Sequence, residues 1–209
     1  MTDLREAVIA TCRAMNAQGI NQGRSGNVSV RTAADRFLIT PTAIAYDVMQ
    51  PADIVEMASD GSWTGGTPSS EWRFHRDILA TRTDVGAIVH SHAPFASSLA
   101  CLRQDIPAFH YMVALAGGDS IRCARYATFG TQELSDHALA ALVDRKACLL
   151  ANHGLIATGA TLDDALSLAI EVEALAGMYL RALSVGRPVL LSEAEMARVV
   201  DKFSTYGKP

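Results

Sequence analysis

No dense cluster of lysine and arginine interrupts this chain: 18 basic residues face 22 acidic ones, for a formal charge of −4 and a pI near 5.8. Nucleic acid is bound chiefly by neutralising its phosphates, so without a basic patch that partner is not expected. No apolar run reaches the ~20 residues that cross a bilayer, so no membrane role is expected either. The first residues, Met1-Thr-Asp-Leu-Arg-Glu6, carry both signs of charge and lead into no uninterrupted apolar stretch. That disfavours a secretory signal and makes the cytoplasm the expected compartment. The four cysteines, Cys12, Cys101, Cys123 and Cys148, include no C-x-x-C pair, which argues against both a disulfide framework and a thiolate zinc site. Each reads as a small buried hydrophobe. Repeats, low-complexity tracts and Pro/Ser-rich linkers are absent as well. The 209 residues therefore read as a single domain, 1–209, long enough for a substantial core.

What is present is concentrated in Val85-Gly-Ala-Ile-Val-His-Ser-His92, an apolar strand that ends in two histidines one residue apart. Alternate side chains of a strand share a face, so His90 and His92 emerge together, spaced to share one metal ion. His153, in Cys148-Leu-Leu-Ala-Asn-His-Gly154, stands where a second apolar strand runs out, and Glu71, in Pro68-Ser-Ser-Glu-Trp72, where a helix begins. Either histidine alone reads as a hydrogen-bonded structural residue. The i, i+2 pair together with a second strand end makes a metal site the better reading. Three imidazoles and a carboxylate suit Zn²⁺ or a similar divalent ion, in the catalytic pattern that leaves a position for water or substrate. His75, one helical turn after Glu71, could support that ligand from behind, but His75, His110 and His137 do not share this grammar and read as structural or exposed.

Helical spacing and stop signals predict a first helix capped by Thr2 and ended at Gly19. They also predict helices over 70–80, from Pro94 to Leu102 and over 131–144, and a long one in which Thr161 and Asp164 form a capping box and Gly186 and Pro188 mark the end. Strands are expected over 27–31 and 36–40 as a hairpin, then over 53–57, 85–92, 106–111, 121–126 and 147–151. Hairpins beside helices imply an α/β domain with a mixed or mainly antiparallel sheet.

Around the proposed ligands lie candidates for holding an anion. With Ser70 as helix N-cap, the hydroxyls of Ser69 and Ser70 and the free N–H groups of the first turn can receive a phosphate. Gly23-Arg-Ser-Gly-Asn27 can offer backbone and amide donors, and Thr42 a hydroxyl. A plain helix cap and a plain turn are the alternative readings, and none of these elements is specific alone.

Taken together and in order, the motifs resemble the class II aldolase and adducin family. They are Asn21-Gln-Gly23, Gly26-Asn-Val-Ser-Val-Arg31, Ile39-Thr-Pro-Thr42, Pro68-Ser-Ser-Glu-Trp-Arg-Phe-His75, His110-Tyr-Met112, Tyr126-Ala-Thr-Phe-Gly130, and Phe203 with Thr205-Tyr-Gly207. The resemblance spans nearly the whole chain. It implies a mainly antiparallel central sheet with helices on both faces, and a homotetramer with sites between neighbouring subunits. It also implies Zn²⁺ held by His90, His92 and His153, with Glu71 able to leave the metal and act as base. By the same resemblance, the phosphate pocket is Asn27, Thr42, Ser69 and Ser70, Tyr111 is a proton donor supplied by the adjacent subunit, and Tyr206 helps close the site.

The implied activity is reversible cleavage of a ketose 1-phosphate, such as L-fuculose 1-phosphate, to dihydroxyacetone phosphate and a small hydroxyaldehyde, L-lactaldehyde. Two departures bear on the anion pocket: Arg24-Ser25 stands where smaller uncharged residues are usual, and Ala43 replaces a Gly. Arg24 is accordingly an additional candidate phosphate contact. Alternatives within the family are a sugar-phosphate 4-epimerase and a decarboxylase of 3-oxo sugar-acid phosphates. A non-catalytic adducin-like binding protein is the alternative of a different class, and retention of His90, His92, His153 and Glu71 argues against it.

Overall fold

Strands Asn27–Ala33 (β1) and Arg36–Ile39 (β2) form the expected antiparallel hairpin, with Ser29 opposite Ile39 and Arg31 opposite Phe37. The computed structural model describes residues 2–205; Tyr206 and Gly207 of the carboxy-terminal motif lie outside them. The hairpin belongs to an eight-stranded sheet that also contains Val55–Ala58 (β3), Trp63–Thr64 (β4), Ala87–Ser91 (β5), Arg122–Ala124 (β6), Ala147–Leu150 (β7) and Gly154–Gly159 (β8). Its order is β4-β3-β2-β1-β5-β8-β7-β6, antiparallel throughout except for the parallel β6–β7 pair.

Alternation along the strands feeds two cores. Val28, Val30, Leu38, Ala87, Val89, Leu155 and Ala157 pack on one face against the helices Thr2–Ala17 (α1), Pro94–Cys101 (α3) and Leu162–Val185 (α5). Their sequence neighbours Phe37, Ile39, Ile88, Cys148, Leu150 and Ile156 face the other way, against Trp72–Thr81 (α2) and Gln132–Ala141 (α4). Both faces of the central strands are covered, which is why they read as nearly continuous apolar runs. The last helix is Glu193–Thr205 (α6).

The differences from expectation are local. Residues 106–111 do not form a strand: Ile106 makes one isolated bridge to Ile121, Pro107 has no N–H to give a ladder, and Tyr111 already opens the 3₁₀ helix Tyr111–Ala116. The α2 helix starts at Trp72 with Glu71 as its N-cap, so Ser70 is not the cap. The preceding residues are held extended instead, by the Pro41–Pro68 bridge and by Ser69 N–H donating to the Thr40 carbonyl at 3.0 Å. Thr2 lies inside α1. The short β4, β8 and α6 were not foreseen. The α5 capping box forms as expected, with Thr161 Oγ1 accepting from Asp164 N.

Candidate metal centre

Each donor is presented by a different local device. His90 is fixed by strand register, paired with Asn27 on β1 and Ile156 on β8, and it is fully buried. Its Nδ1 lies 2.8 Å from the Leu155 carbonyl, so that nitrogen carries the proton and Nε2 presents its lone pair to the site. His92 follows the end of β5. The α3 helix begins directly after it, with Ala93 as an N-cap that has no side-chain acceptor. Glu173, from the middle of α5, supplies the missing cap: its two oxygens accept from Phe95 N and Ala96 N, both at 2.8 Å. His153 sits in the β7–β8 turn behind Asn152, whose φ of 55° is left-handed. Gly154 is required there, because a Cβ would fall 2.4 Å from the Ser91 carbonyl oxygen. Gly26 lets β1 approach equally closely, its Cβ position lying 2.6 Å from the His90 carbonyl oxygen.

These devices converge on Glu71, which is 5% exposed. Its Oε2 lies 3.2 Å from His90 Nε2 and its Oε1 lies 3.3 Å from His153 Nε2. The rings of His90, His92 and His153 stand 4.8–5.1 Å apart, and one donor atom from each of the four residues lies within 4.8 Å of the others. Glu71 Oε1, His90 Nε2 and His92 Nε2 are buried with no hydrogen-bond partner among the described residues.

Burial pushes the Glu71 carboxyl up, but His90, His153 and the Asn27 amide outweigh it and hold the group well below the usual carboxylate range. Burial, reinforced by His90, pushes His92 down to about 4 and His153 down to about 3. With its one hydrogen on Nδ1, a neutral His90 meets Glu71 Oε2 lone pair to lone pair, and His153, neutral at pH 7, makes no ion pair with Glu71. Such an arrangement needs a cation between its members. A proton on His90 relieves one contact, whereas a divalent ion satisfies all four donors together, and three imidazoles with a carboxylate are the donor set that such ions take.

The structure thus brings His90, His92, His153 and Glu71 together as their spacing predicted. The anion candidates are distributed differently. Asn27 is buried and its amide nitrogen donates to Glu71 Oε2 at 3.0 Å, leaving one further N–H. Thr42 and Ser69 lie on adjacent extended segments, joined by Thr42 N–H to the Thr67 carbonyl and Ser69 N–H to the Thr40 carbonyl, each at 3.0 Å. Ser69 Oγ accepts from Glu71 N at 3.3 Å, and Ser70 is exposed. Arg24 donates to the Ala43 carbonyl at 2.7 Å, one residue from Thr42, and Ala43 has a left-handed φ of 62°. That backbone is why glycine suits this position.

Tyr111 is 50% exposed, and its ring contacts are with His110 and Phe203 rather than with the four donors. His110 is structural, accepting from Met112 N, and His137 is half-buried. His75 is structural, fully buried and bonded to Asn27, one step from Glu71. Glu173 was not foreseen at all.

Known proteins match this chain along most of its length. The family described as Class II Aldolase and Adducin N-terminal domain matches residues 6–180. The 5-methylthioribulose-1-phosphate/5-deoxyribulose-1-phosphate aldolase of Rhodospirillum rubrum is 58% identical over 205 residues, covering 98% of this chain and 92% of its own. The L-fuculose phosphate aldolase of Escherichia coli K12 is 50% identical over 206 residues, with coverage of 98% and 95%. A solved structure of an L-fuculose 1-phosphate aldolase superposes with a TM-score of 0.94 at 39% identity, covering 98% of this chain and 97% of that one.

Proposed function

The chain belongs to the class II aldolase and adducin family and is an aldolase of that class, and from that premise we propose that it reversibly cleaves a ketose 1-phosphate to dihydroxyacetone phosphate and a small aldehyde. The observation that carries this reading is the convergence of Glu71, His90, His92 and His153, with three of their atoms buried and unpaired. Class II aldolases are metal-dependent, and these four residues would hold the ion, Zn²⁺ being the one their donor set suits best. When bound, a divalent ion supplies the positive charge that offsets the anion developing on the ketone fragment as the carbon–carbon bond breaks.

The chain's own groups handle the protons and the phosphate. Glu71, buried beside the cluster, moves the proton at the carbon of the ketone fragment. Tyr111 moves the proton at the oxygen that becomes the aldehyde. Its exposure, and ring contacts made to His110 and Phe203 rather than to the four donors, support its use by a neighbouring subunit, in a homotetramer whose sites lie between subunits. Tyr206 helps close that site. Thr42, Ser69 and Ser70, with the remaining N–H of Asn27 and with Arg24 beside Thr42, form the phosphate pocket. Cytoplasmic residence fits this chemistry, and no helix among the described residues is long and apolar enough to cross a membrane.

The relatives' names carry three sugars. L-fuculose 1-phosphate, split between its third and fourth carbons, yields L-lactaldehyde. The 58% identical relative favours a second reading, in which the sugar is 5-methylthio- or 5-deoxyribulose 1-phosphate. All three end in a deoxygenated carbon, so the common requirement is an aldehyde with an apolar tail. A cleavage screen over these ketose 1-phosphates, scored by dihydroxyacetone phosphate released, tests the proposal. The sugar with the highest kcat/KM identifies the aldehyde, and no cleavage of any of them overturns it.

A further inference from the structure

Behind Glu71 runs a chain of buried side chains in which every hydrogen has an assigned place. Asn27 Nδ2 lies 3.0 Å from Glu71 Oε2, so the amide turns its nitrogen to the carboxylate and its Oδ1 away. Oδ1 meets His75 Nε2 at 2.5 Å, so that ring nitrogen carries the hydrogen. A neutral imidazole has only one, which leaves Nδ1 to accept the Ser29 hydroxyl at 2.7 Å. Ser29 and His75 are fully buried and Asn27 is 3% exposed. Asn27 and Ser29 share a face of β1, while His75 lies one turn beyond Glu71 on α2, with its ring against Phe74 at 4.6 Å. Burial pushes the ring down to about 3, so it stays neutral at working pH. A histidine kept only for packing explains none of this order, since an apolar side chain would fill the same space without satisfying the Asn27 carbonyl.

We propose that His75 is a positioning residue for Glu71. It locks the Asn27 amide so that Oε2 is always held and Oε1 is the oxygen open to the cation and to the moving proton. The inference rests on Glu71 being the proton-carrying carboxylate. Removing His75 leaves Asn27 free to flip, which sets its carbonyl against the carboxylate and unseats Glu71. Outer partners of metal ligands of this kind typically govern affinity by about 10–100-fold.

The test uses His75→Leu, His75→Gln and Ser29→Ala, with two readouts. One is zinc affinity of the metal-stripped protein by competition with a chelating dye. The other is solvent-deuterium exchange into dihydroxyacetone phosphate by the reloaded protein. His75→Leu is expected to weaken zinc at least tenfold and slow exchange at least tenfold. His75→Gln, whose amide N–H can reach Asn27 Oδ1, should recover most of both losses even where its melting temperature stays as low as that of the leucine variant. Ser29→Ala should move both readouts the same way by about threefold, and it decides the matter if His75→Leu does not fold. Parent-like zinc affinity and exchange in folded His75→Leu, or in Ser29→Ala where the leucine variant is unfolded, overturn the proposal. If Glu71→Gln exchanges like the parent, the proton role of Glu71 fails instead, and zinc affinity alone judges His75.

Discussion

The two sides of the candidate metal cluster are held by different means. On the α2 side, Glu71 hangs on a side-chain hydrogen bond from Asn27, backed by His75 and Ser29. On the α3 and α5 side, the histidines are held by backbone: His90 by strand register and the Leu155 carbonyl, His92 by the start of a helix capped from α5, His153 by a turn that only Gly154 admits. Moving a histidine means disturbing the sheet. Moving Glu71 means loosening one charge-assisted hydrogen bond of about 1.5–3 kcal/mol. On the proposed mechanism Glu71 also carries a proton, and it is the donor that stands on the adjustable side.

That contrast makes damage on the two sides different in kind. Glu71→Gln should leave the melting temperature close to the parent's while slowing deuterium exchange into dihydroxyacetone phosphate by about 10²–10⁴-fold, because an amide is no base. Mass spectrometry of the ketone product reads this directly, and parent-like exchange breaks the assignment. Glu173→Ala should show itself in stability instead. It strips the caps from two N–H groups at the start of α3, at a cost of about 2–5 kcal/mol in urea unfolding. A loss under 1 kcal/mol would mean that water replaces the carboxylate and that the fixed side is looser than described.

Acid should weaken the metal-free protein through the same buried imidazoles. His75, His92 and His153 sit at about 3, about 4 and about 3 in the fold, below the ordinary 6.5. The unfolded chain therefore takes up protons first, and the stability these groups give above pH 6.5 is lost as pH falls toward their folded values. Unfolding midpoints of the metal-stripped protein at pH 7.5 and pH 5 should differ by at least about 2 kcal/mol, with the acid sample weaker. The difference should shrink in His92→Gln.

The four donors were legible because each obeys a local rule: alternate residues on one strand, a strand end before a glycine, a helix start. The mainly antiparallel sheet followed from hairpins beside helices, its helices on both faces from the family resemblance alone, and the α5 cap from Thr161 and Asp164. What escaped depends on register. Nothing within residues 106–111 weighs Pro107 against a run of apolar and aromatic neighbours, and β8 hides because its short run of apolar residues merges with the His153 turn. The His75–Asn27 contact needs β1 and α2 to meet. A signal existed nonetheless, since Asn27 and Ser29 alternate and His75 is one turn from Glu71. Glu173 also left a trace, four residues after Ala169 on the buried stripe of α5, where an unpaired carboxylate does not belong.

The central claim is that the four convergent donors hold a catalytic divalent ion. Protein purified without added metal, analysed for its elements and then assayed for ketose 1-phosphate cleavage before chelation, after chelation and after zinc return, tests it most directly. One divalent ion per chain is expected, zinc foremost, with cleavage lost by about a thousandfold or more on chelation and restored by the ion. Protein free of metal that cleaves its substrate equally well with and without chelator would contradict the account.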